Sequence, residues 1–183
     1  MNDIYFTSDT HFTHANFLKF RDPEDKLIRP FDSVEAMDEY MIEKWNSVVK
    51  PGDRVYHLGD VTFDYEQYKE INARLNGSKR LIVGNHDDIP KLVRGGWFKK
   101  VQYWRLFKDH NFTCTHVPLR RDQMRHTIYL NVHGHTHKQM VEEPGYFNLC
   151  VENHDYTPVS IDTLIATAKH TYETYGILNE DKF

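Results

Sequence analysis

Val55-Tyr56-His57-Leu58-Gly59-Asp60-Val61 decides the fold of this 183-residue chain. Val55 to Leu58 is β-branched, aromatic and apolar, the composition of a buried strand. Gly59 lets the chain turn sharply and presents the Asp60 carboxylate at the edge of a sheet, where open α/β sheets hold their ligands. A carboxylate has two oxygens, so an aspartate in this place can bridge two metal ions.

Upstream, Ile4-Tyr5-Phe6-Thr7-Ser8 reads as a first strand that runs into Asp9-Thr10-His11. In extended chain that carboxylate and imidazole point the same way. Thr13 to Phe20 is expected to form a short helix. The charged stretch from Arg21 to Pro30 reads as a solvated loop, with Arg21 or Arg29 reaching a substrate phosphate as the alternative. Asp32-Ser33-Val34-Glu35 has the form of a capping box, and Val34, Met37, Met41, Trp45 and Val48 recur at helical spacing. Lys50-Pro51-Gly52-Asp53 ends that helix. Downstream, a helix from about Tyr65 to Leu75, stopped by Asn76-Gly77, leads to the strand Arg80 to Val83, which closes on Gly84-Asn85-His86-Asp87. Three strands separated by helices, each closing on ligand-type residues, predict parallel strands whose C-terminal ends share one cleft. In it, Asn85 offers a neutral carbonyl oxygen, and His86 is either a ligand or a proton donor.

Beyond this point the pattern changes. Pro90 to Val93 reads as a helical turn broken by Gly95-Gly96. Val101 to Phe107 and Phe112 to His116 read as a hairpin around Asp109-His110-Asn111. Thr127 to Val132 and Tyr146 to Val151 add strands to an antiparallel or mixed sheet. His116 and Gly134-His135-Thr136-His137 each close an apolar run, and Gly134 permits the turn. Trp97, Phe98, Tyr103 and Trp104 are either core or a stacking surface for a nucleobase, with core the commoner outcome for alternating aromatics. A final helix is expected over Ile161 to Tyr175, capped by Ser160 or Thr157 and ended by Gly176.

Length and an ordinary composition, 39% hydrophobic and 27% charged, predict one domain over residues 1–183 and argue against disordered, collagen-like or membrane architectures. No apolar run approaches membrane-spanning length. The start, Met-Asn-Asp-Ile-Tyr-Phe, has neither a basic leader nor a long apolar segment, so a cytoplasmic setting is the expectation. Cys114 and Cys150 lack a C-x-x-C pattern and are expected to be buried, reduced thiols without chemistry. The net charge of -4 argues against a general nucleic-acid coat. Between Lys91 and His126, however, nine basic residues face two acidic ones. Within that segment Arg120, Arg121 and Arg125 are candidates to clamp a phosphate. Of twelve histidines, His57 and His133 are divided between orienting a ligand and packing in the core. His14, His110, His126, His154 and His170 read as surface or loop residues, with His14 the first exception.

Five blocks in order, Asp9-x-His11, Gly59-Asp60, Gly84 to Asp87, His116 and Gly134 to His137, resemble the calcineurin-like metallophosphoesterase superfamily, in its small stand-alone bacterial and phage form. The resemblance covers about Asp9 to His137. It implies an α/β fold, a four-layered α/β/β/α sandwich with mixed sheets and a two-metal site at strand C-terminal ends. One metal would be held by Asp9, His11, Asp60 and His137, and the other by Asp60, Asn85, His116 and His135, with Asp60 shared. Two divalent transition-metal ions are implied, manganese first, with iron, nickel, zinc or cobalt in other members.

The activity implied is hydrolysis of a phosphodiester by a metal-bridging hydroxide, with Asp60 and His86 the catalytic pair and His86 the general acid. Asp87 or Asp64 would orient His86. Asn85, Arg120 and Arg121 are expected against the substrate, a nucleotide or cyclic nucleotide diester. The protein phosphatase signature G-D-x-V-D-R-G is absent, because Gly59-Asp60 continues as Val61-Thr62-Phe63-Asp64, and Asp87 stands where that group has glutamate. A phosphomonoesterase, or a metal-binding interaction scaffold without turnover, is the alternative. Monomer and homo-oligomer both fit.

Overall fold

The computed structural model describes residues 2–176. Its strands are β1 (Ile4–Thr7), β2 (Arg54–His57), β3 (Ser78–Ile82), β4 (Val101–Gln102), β5 (Trp104–Phe107), β6 (Phe112–Thr115), β7 (Leu130–His133), β8 (Tyr146–Asn148) and β9 (Val159–Ser160). Its helices are α1 (Val34–Val48), α2 (Tyr65–Arg74), α3 (Ile89–Gly95) and α4 (Ile161–Tyr175). The first sheet runs β4-β3-β2-β1-β9, with β1 to β4 parallel and β9 antiparallel to β1. The second runs β5-β6-β7-β8 and is mixed: β5 and β6 form an antiparallel hairpin, and β7 and β8 add in parallel.

Alternation along the strands divides two cores. In β2, Val55 joins Met37, Met41 and Trp45 of α1, Tyr68 of α2 and Leu92 of α3 on one face of the first sheet. Tyr56 points the other way and packs with Phe6 and Ile82 against Phe112, Cys114, Leu130 and Val132 of the second sheet. The result is a mixed α/β sandwich in which helices cover one face of the first sheet and the second sheet covers the other. The fourth helix touches β1, β6, β7 and β9, and its Leu164 and Ala168 enter the core between the sheets.

Capping fixes the helix starts. Ser33 accepts from the Ala36 amide, Asp64 from Glu66 and Gln67, Asp88 from Lys91, and Ser160 from Thr163. Two expectations fail. The helix over Thr13 to Phe20 is a single 3-10 turn, Ala15–Leu18, because Thr13 holds a left-handed backbone (φ 68°) and the Phe20 carbonyl is taken by the Ile28 amide. Val101 to Phe107 is not one strand: Val101–Gln102 pairs with β3 of the first sheet and Trp104–Phe107 with β6 of the second. The chain therefore passes between sheets at Tyr103. Among the described residues no helix is long and apolar enough to cross a membrane.

One buried charge serves a helix end. Lys79 of β3 donates to the Leu75 carbonyl at 2.8 Å and the Asn72 carbonyl at 3.3 Å, where the α2 dipole is negative. Burial lowers its pKa to about 8, below the ordinary lysine value of about 10.4. Between these limits the unfolded chain binds more protons than the folded one, so this residue's contribution rises with pH across that window. Urea unfolding of wild type and Lys79→Met should therefore show their difference moving in favour of wild type between pH 7 and pH 10; a pH-independent difference would contradict this.

Candidate metal centre

The ends of β1 and β2 are laced together by backbone, and the end of β3 is tied to them through the Asp87 and Asp60 carboxylates. Asp9 N–H donates to the Gly59 carbonyl and His11 N–H to the Asp60 carbonyl, both at 3.0 Å. Gly59 holds a φ of 98°, and a Cβ there would lie 2.4 Å from the Gly84 amide nitrogen. One at Gly84 would lie 2.2 Å from Asp60 Oδ1. Gly134, read from sequence as a turn residue, is required for space instead: its φ is not left-handed, and a Cβ would lie 2.1 Å from Ser8 Oγ and 2.2 Å from Asp9 Oδ2. Asp9, His11, Asp60, His135 and His137 all hold positive φ, between 45° and 70°, a strained state for side chains of this kind that concentrates at functional sites.

Each of the two aspartates has one oxygen tied and one directed at imidazoles. Asp9 Oδ2 accepts from Ser8 Oγ at 2.5 Å, the His135 amide at 2.9 Å and Cys150 Sγ at 3.4 Å. Its Oδ1 is buried without a hydrogen bond, 3.8 Å from His11 Nε2 and 4.0 Å from His137 Nε2. Asp60 Oδ1 accepts from the His86 amide at 2.9 Å, and Oδ2 faces His11 Nε2 at 3.7 Å and His116 Nε2 at 3.4 Å. The sequence reading gave each Asp60 oxygen its own ion. Here one oxygen faces both histidines, because the amide of the next turn has taken the other.

The imidazoles are aimed by what their outer nitrogens bond. His116 Nδ1 donates to the Leu58 carbonyl at 2.7 Å, which leaves Nε2 among oxygens, Asn85 Oδ1 at 2.8 Å and Asp60 Oδ2. His135 Nδ1 meets the same Asn85 oxygen at 2.9 Å. His137 Nδ1 donates to Glu152 at 3.1 Å, turning Nε2 toward Asp9. Both His11 ring nitrogens are buried without a partner. Ligand atoms of Asp9, His11 and Asp60 lie within 4.8 Å of one another, as do those of Asp60, His116 and His135. Asp9, His137 and Cys150 form a third such group. Asp9 Oδ1 and the His11 ring nitrogens make no hydrogen bond, and a nitrogen and oxygen donor set this close fits divalent cations.

Charge balance shows in the protonation equilibria. Burial pushes Asp9 up, but contact with His11 and the fields of His116, His137 and His11 outweigh it and hold the carboxyl below its ordinary range. Asp60 is likewise lowered against its burial by His116 and by the His86 amide. Burial pulls His116 down, yet the Asp60 contact and the charges of Asp9 and Asp60 raise it to about 9. By contrast, burial lowers His57 to about 3. That ring accepts from the Gly59 amide at Nδ1 and meets Thr10 Oγ1 at Nε2, while Thr10 bonds the Val61 carbonyl. His57 therefore braces the turns from behind.

Sequence reasoning missed the groups behind the cluster. Arg29, read as part of a solvated loop, is wholly buried. It donates to the carbonyls of Asp9 and Thr10, each at 2.6 Å, pairs with Glu152 at 2.6 Å, and lies 4.0 Å over the Phe17 ring. Burial raises Glu152, but Arg29 and His137 hold it down at about 2. Cys150 is buried and free, as expected, yet it touches Asp9.

Other expected residues lie elsewhere. Asp87 accepts from the Asp60, Val61 and Gly84 amides, and Asp64 caps α2, so both are engaged with backbone rather than with His86. The exposed His86 ring packs near His11 and Phe63, at 5.9 and 5.3 Å. Arg120 pairs with Asp122, and Arg121 bonds the Pro144 carbonyl and stacks on Tyr146. Their cavity is lined by none of the seven ligand-type residues; Arg125 lines the one that reaches Asn85 and His116. His14 stacks on Phe63 at 3.9 Å, beside His11. His133 Nδ1 meets the Gly134 carbonyl at 2.9 Å.

No protein-family model matches the chain. It is 33% identical over 175 residues to the uncharacterized protein MJ1445 of Methanocaldococcus jannaschii, with 90% of each chain covered. The gene 66 protein of Mycobacterium phage L5 is 33% identical over 140 residues, covering 73% of this chain and 63% of the phage protein. That of Mycobacterium phage D29 is 28% identical over 174 residues, covering 77% and 81%. Among solved structures, AQ665 from Aquifex aeolicus, a protein of unknown function, superposes with a TM-score of 0.69 at 25% identity, over 90% of this chain and all of that one.

Breaking a buried ion pair from one side leaves the other charge uncompensated, so Arg29→Met should cost about 3–5 kcal/mol. Arg29→Met combined with Glu152→Gln should recover part of that loss but not all, because the Asp9 and Thr10 carbonyls stay unbonded. Urea denaturation of the two variants measures both; a single variant within 1 kcal/mol of wild type contradicts the role assigned to Arg29.

Proposed function

We propose that this chain, which belongs to the family of the Methanocaldococcus jannaschii protein MJ1445, is a metal-dependent phosphodiesterase of the calcineurin-like metallophosphoesterase type, acting on a nucleotide diester. The finer fold assignment goes with that reading: a four-layered α/β/β/α sandwich with a two-metal site at strand C-terminal ends. The observation that carries it is the convergence on Asp60 Oδ2 of His11 and His116, next to the orphaned Asp9 Oδ1.

Asp9, His11, Asp60 and His137 would hold one divalent ion, and Asp60, Asn85, His116 and His135 the other. Manganese comes first, and iron, cobalt, nickel or zinc also suit these donors. Two cations, when bound, would supply a water nucleophile active near neutral pH and would neutralise charge on the phosphoryl oxygens. The chain supplies the rest. Glu152 and the Leu58 carbonyl fix the tautomers of His137 and His116, so each presents Nε2 to the cleft. The rigid turns hold the donors in place before substrate arrives. At the rim, the exposed His86 would give a proton to the departing ester oxygen.

Metal-stripped protein given manganese should hydrolyse bis-(p-nitrophenyl) phosphate. His86→Ala should lower kcat by about 10²–10³-fold, while elemental analysis finds its metal content unchanged. Loss of metal from that variant would make His86 a ligand, and cleavage of p-nitrophenyl phosphate alone would replace the reading with a phosphomonoesterase. In parallel, manganese should raise the Tm of wild type and not that of Asp60→Asn; equal shifts would remove Asp60 from the centre, and no turnover with any of these metals would favour the interaction scaffold.

A further inference from the structure

Two cavities open onto the cluster, and they share no lining residue. The larger, about 800 Å³, reaches Asn85 and His116. The smaller, about 470 Å³, reaches His11, His86 and His137. His11 and His116 face the same oxygen of Asp60, at 3.7 and 3.4 Å, so the cavities approach a single point from its two imidazole neighbours.

Strand alternation shapes the larger one. In the β5–β6 hairpin Trp104 lies opposite Thr115 and Leu106 opposite Thr113, and all four line the cavity. Cys114, between the two threonines, and the flanking Phe107 and Phe112 pack between the sheets instead. Met124 and Ile128 complete an apolar lining, and Gln123 and Arg125 add polar groups. Tyr103 and Trp104, at the crossing between sheets, stay 68% and 67% exposed. The smaller cavity is also aromatic, lined by Phe17, Phe20 and Phe63 with His14.

We infer that the substrate is a linear phosphodiester whose two arms occupy separate cavities, with a nucleoside in the Trp104 cavity and the departing arm in the Phe63 cavity beside His86. This rests on the phosphodiesterase reading and deepens it. Exposed tryptophan and tyrosine rings beside polar groups suit a planar heteroaromatic base, which stacks and hydrogen-bonds at its edge. An acyl chain would leave Gln123 and Arg125 without use. A cyclic nucleotide joins both ester oxygens to one sugar, so it fills one cavity and leaves the other empty. A linear diester fills both and places its leaving oxygen on the His86 side. The chemistry is a hydrolysis: the water oxygen bonds to phosphorus and loses a proton to solvent, the bond to the departing oxygen breaks, and that oxygen takes a proton from His86, which solvent then restores, leaving a phosphomonoester on the nucleoside.

The test compares three diesters with manganese-loaded wild type: thymidine 5′-p-nitrophenyl phosphate, methyl p-nitrophenyl phosphate and 3′,5′-cyclic AMP. The thymidine ester should exceed the methyl ester in kcat/KM by about tenfold or more, the gain expected from one stacked base. Cyclic AMP should fall below it by a similar factor. Trp104→Ala should reduce the thymidine preference at least about fivefold, while Tyr175→Ser, on α4, should not. Cyclic AMP turned over as well as the thymidine ester, or a preference unchanged in Trp104→Ala, overturns the inference. Saturation-transfer NMR of thymidine with metal-free protein separates the two claims. A signal lost in Trp104→Ala, with no diester cleaved by any metal, sustains the cavity assignment and removes the phosphodiesterase. Diester cleavage without that signal overturns the cavity assignment alone.

Discussion

Asp9 and Asp60 lie almost wholly out of solvent at the ends of neighbouring parallel strands, and their negative charge is the constraint that the surrounding structure answers. Buried carboxylates need partners, because burial in low dielectric penalises the charged form. Backbone and side-chain donors take one oxygen of each, and imidazoles surround the other. Arg29, the obvious cation nearby, does not reach either carboxylate. It bonds the Asp9 and Thr10 carbonyls and gives its charge to Glu152. The remaining negative charge is left to face the histidines, and against the burial of His116 it raises the pKa of that residue, favouring the ring's protonated form.

That arrangement is held by strain distributed over the turns. Five of the seven ligand-type residues sit in left-handed backbone, each at a cost of about 1–3 kcal/mol. Aspartate and histidine enter this region more readily than most side chains, but it still costs them free energy. These conformations persist because Gly59, Gly84 and Gly134 let the chain ends approach closer than any side chain allows, and because Asp87 bonds three amides of two turns at once. The apolar clusters on both faces of the first sheet supply the offsetting stability.

How much of this is legible in sequence depends on the distance over which each feature is encoded. The blocks ending β1, β2, β3, β6 and β7 are local, an apolar run followed by polar residues, and their convergence follows from the parallel crossovers. The α1 helix is equally local, since its stripe from Val34 to Trp45 repeats every three or four residues. Arg29 and Glu152 are not: they stand 123 residues apart, and in sequence Arg29 sits among the charges of a loop. Cys150 reaches Asp9 only because Ser8 and Cys150 form an isolated bridge between the two sheets. The break at Tyr103 is hidden because Val101 to Phe107 alternates as one strand while its halves bond different partners. Side-chain direction is hidden as well, since Arg120 and Arg121 read as phosphate clamps and turn to Asp122 and Tyr146.

The division of donors between the sheets has a consequence for ion preference. Asp9, His11, Asp60 and Asn85 follow the strands of the first sheet and bring three oxygens and one nitrogen; His116, His135 and His137 follow those of the second and bring only nitrogen. Oxygen donors alone suit hard ions such as magnesium and calcium, and imidazoles shift the balance toward transition ions. On the proposed reading, the first sheet would supply the oxygens that hold a cation, and the second the imidazoles that choose among cations. If that reading holds, a change in how the sheets pack, without any change of ligand, would alter which metal the proposed centre selects.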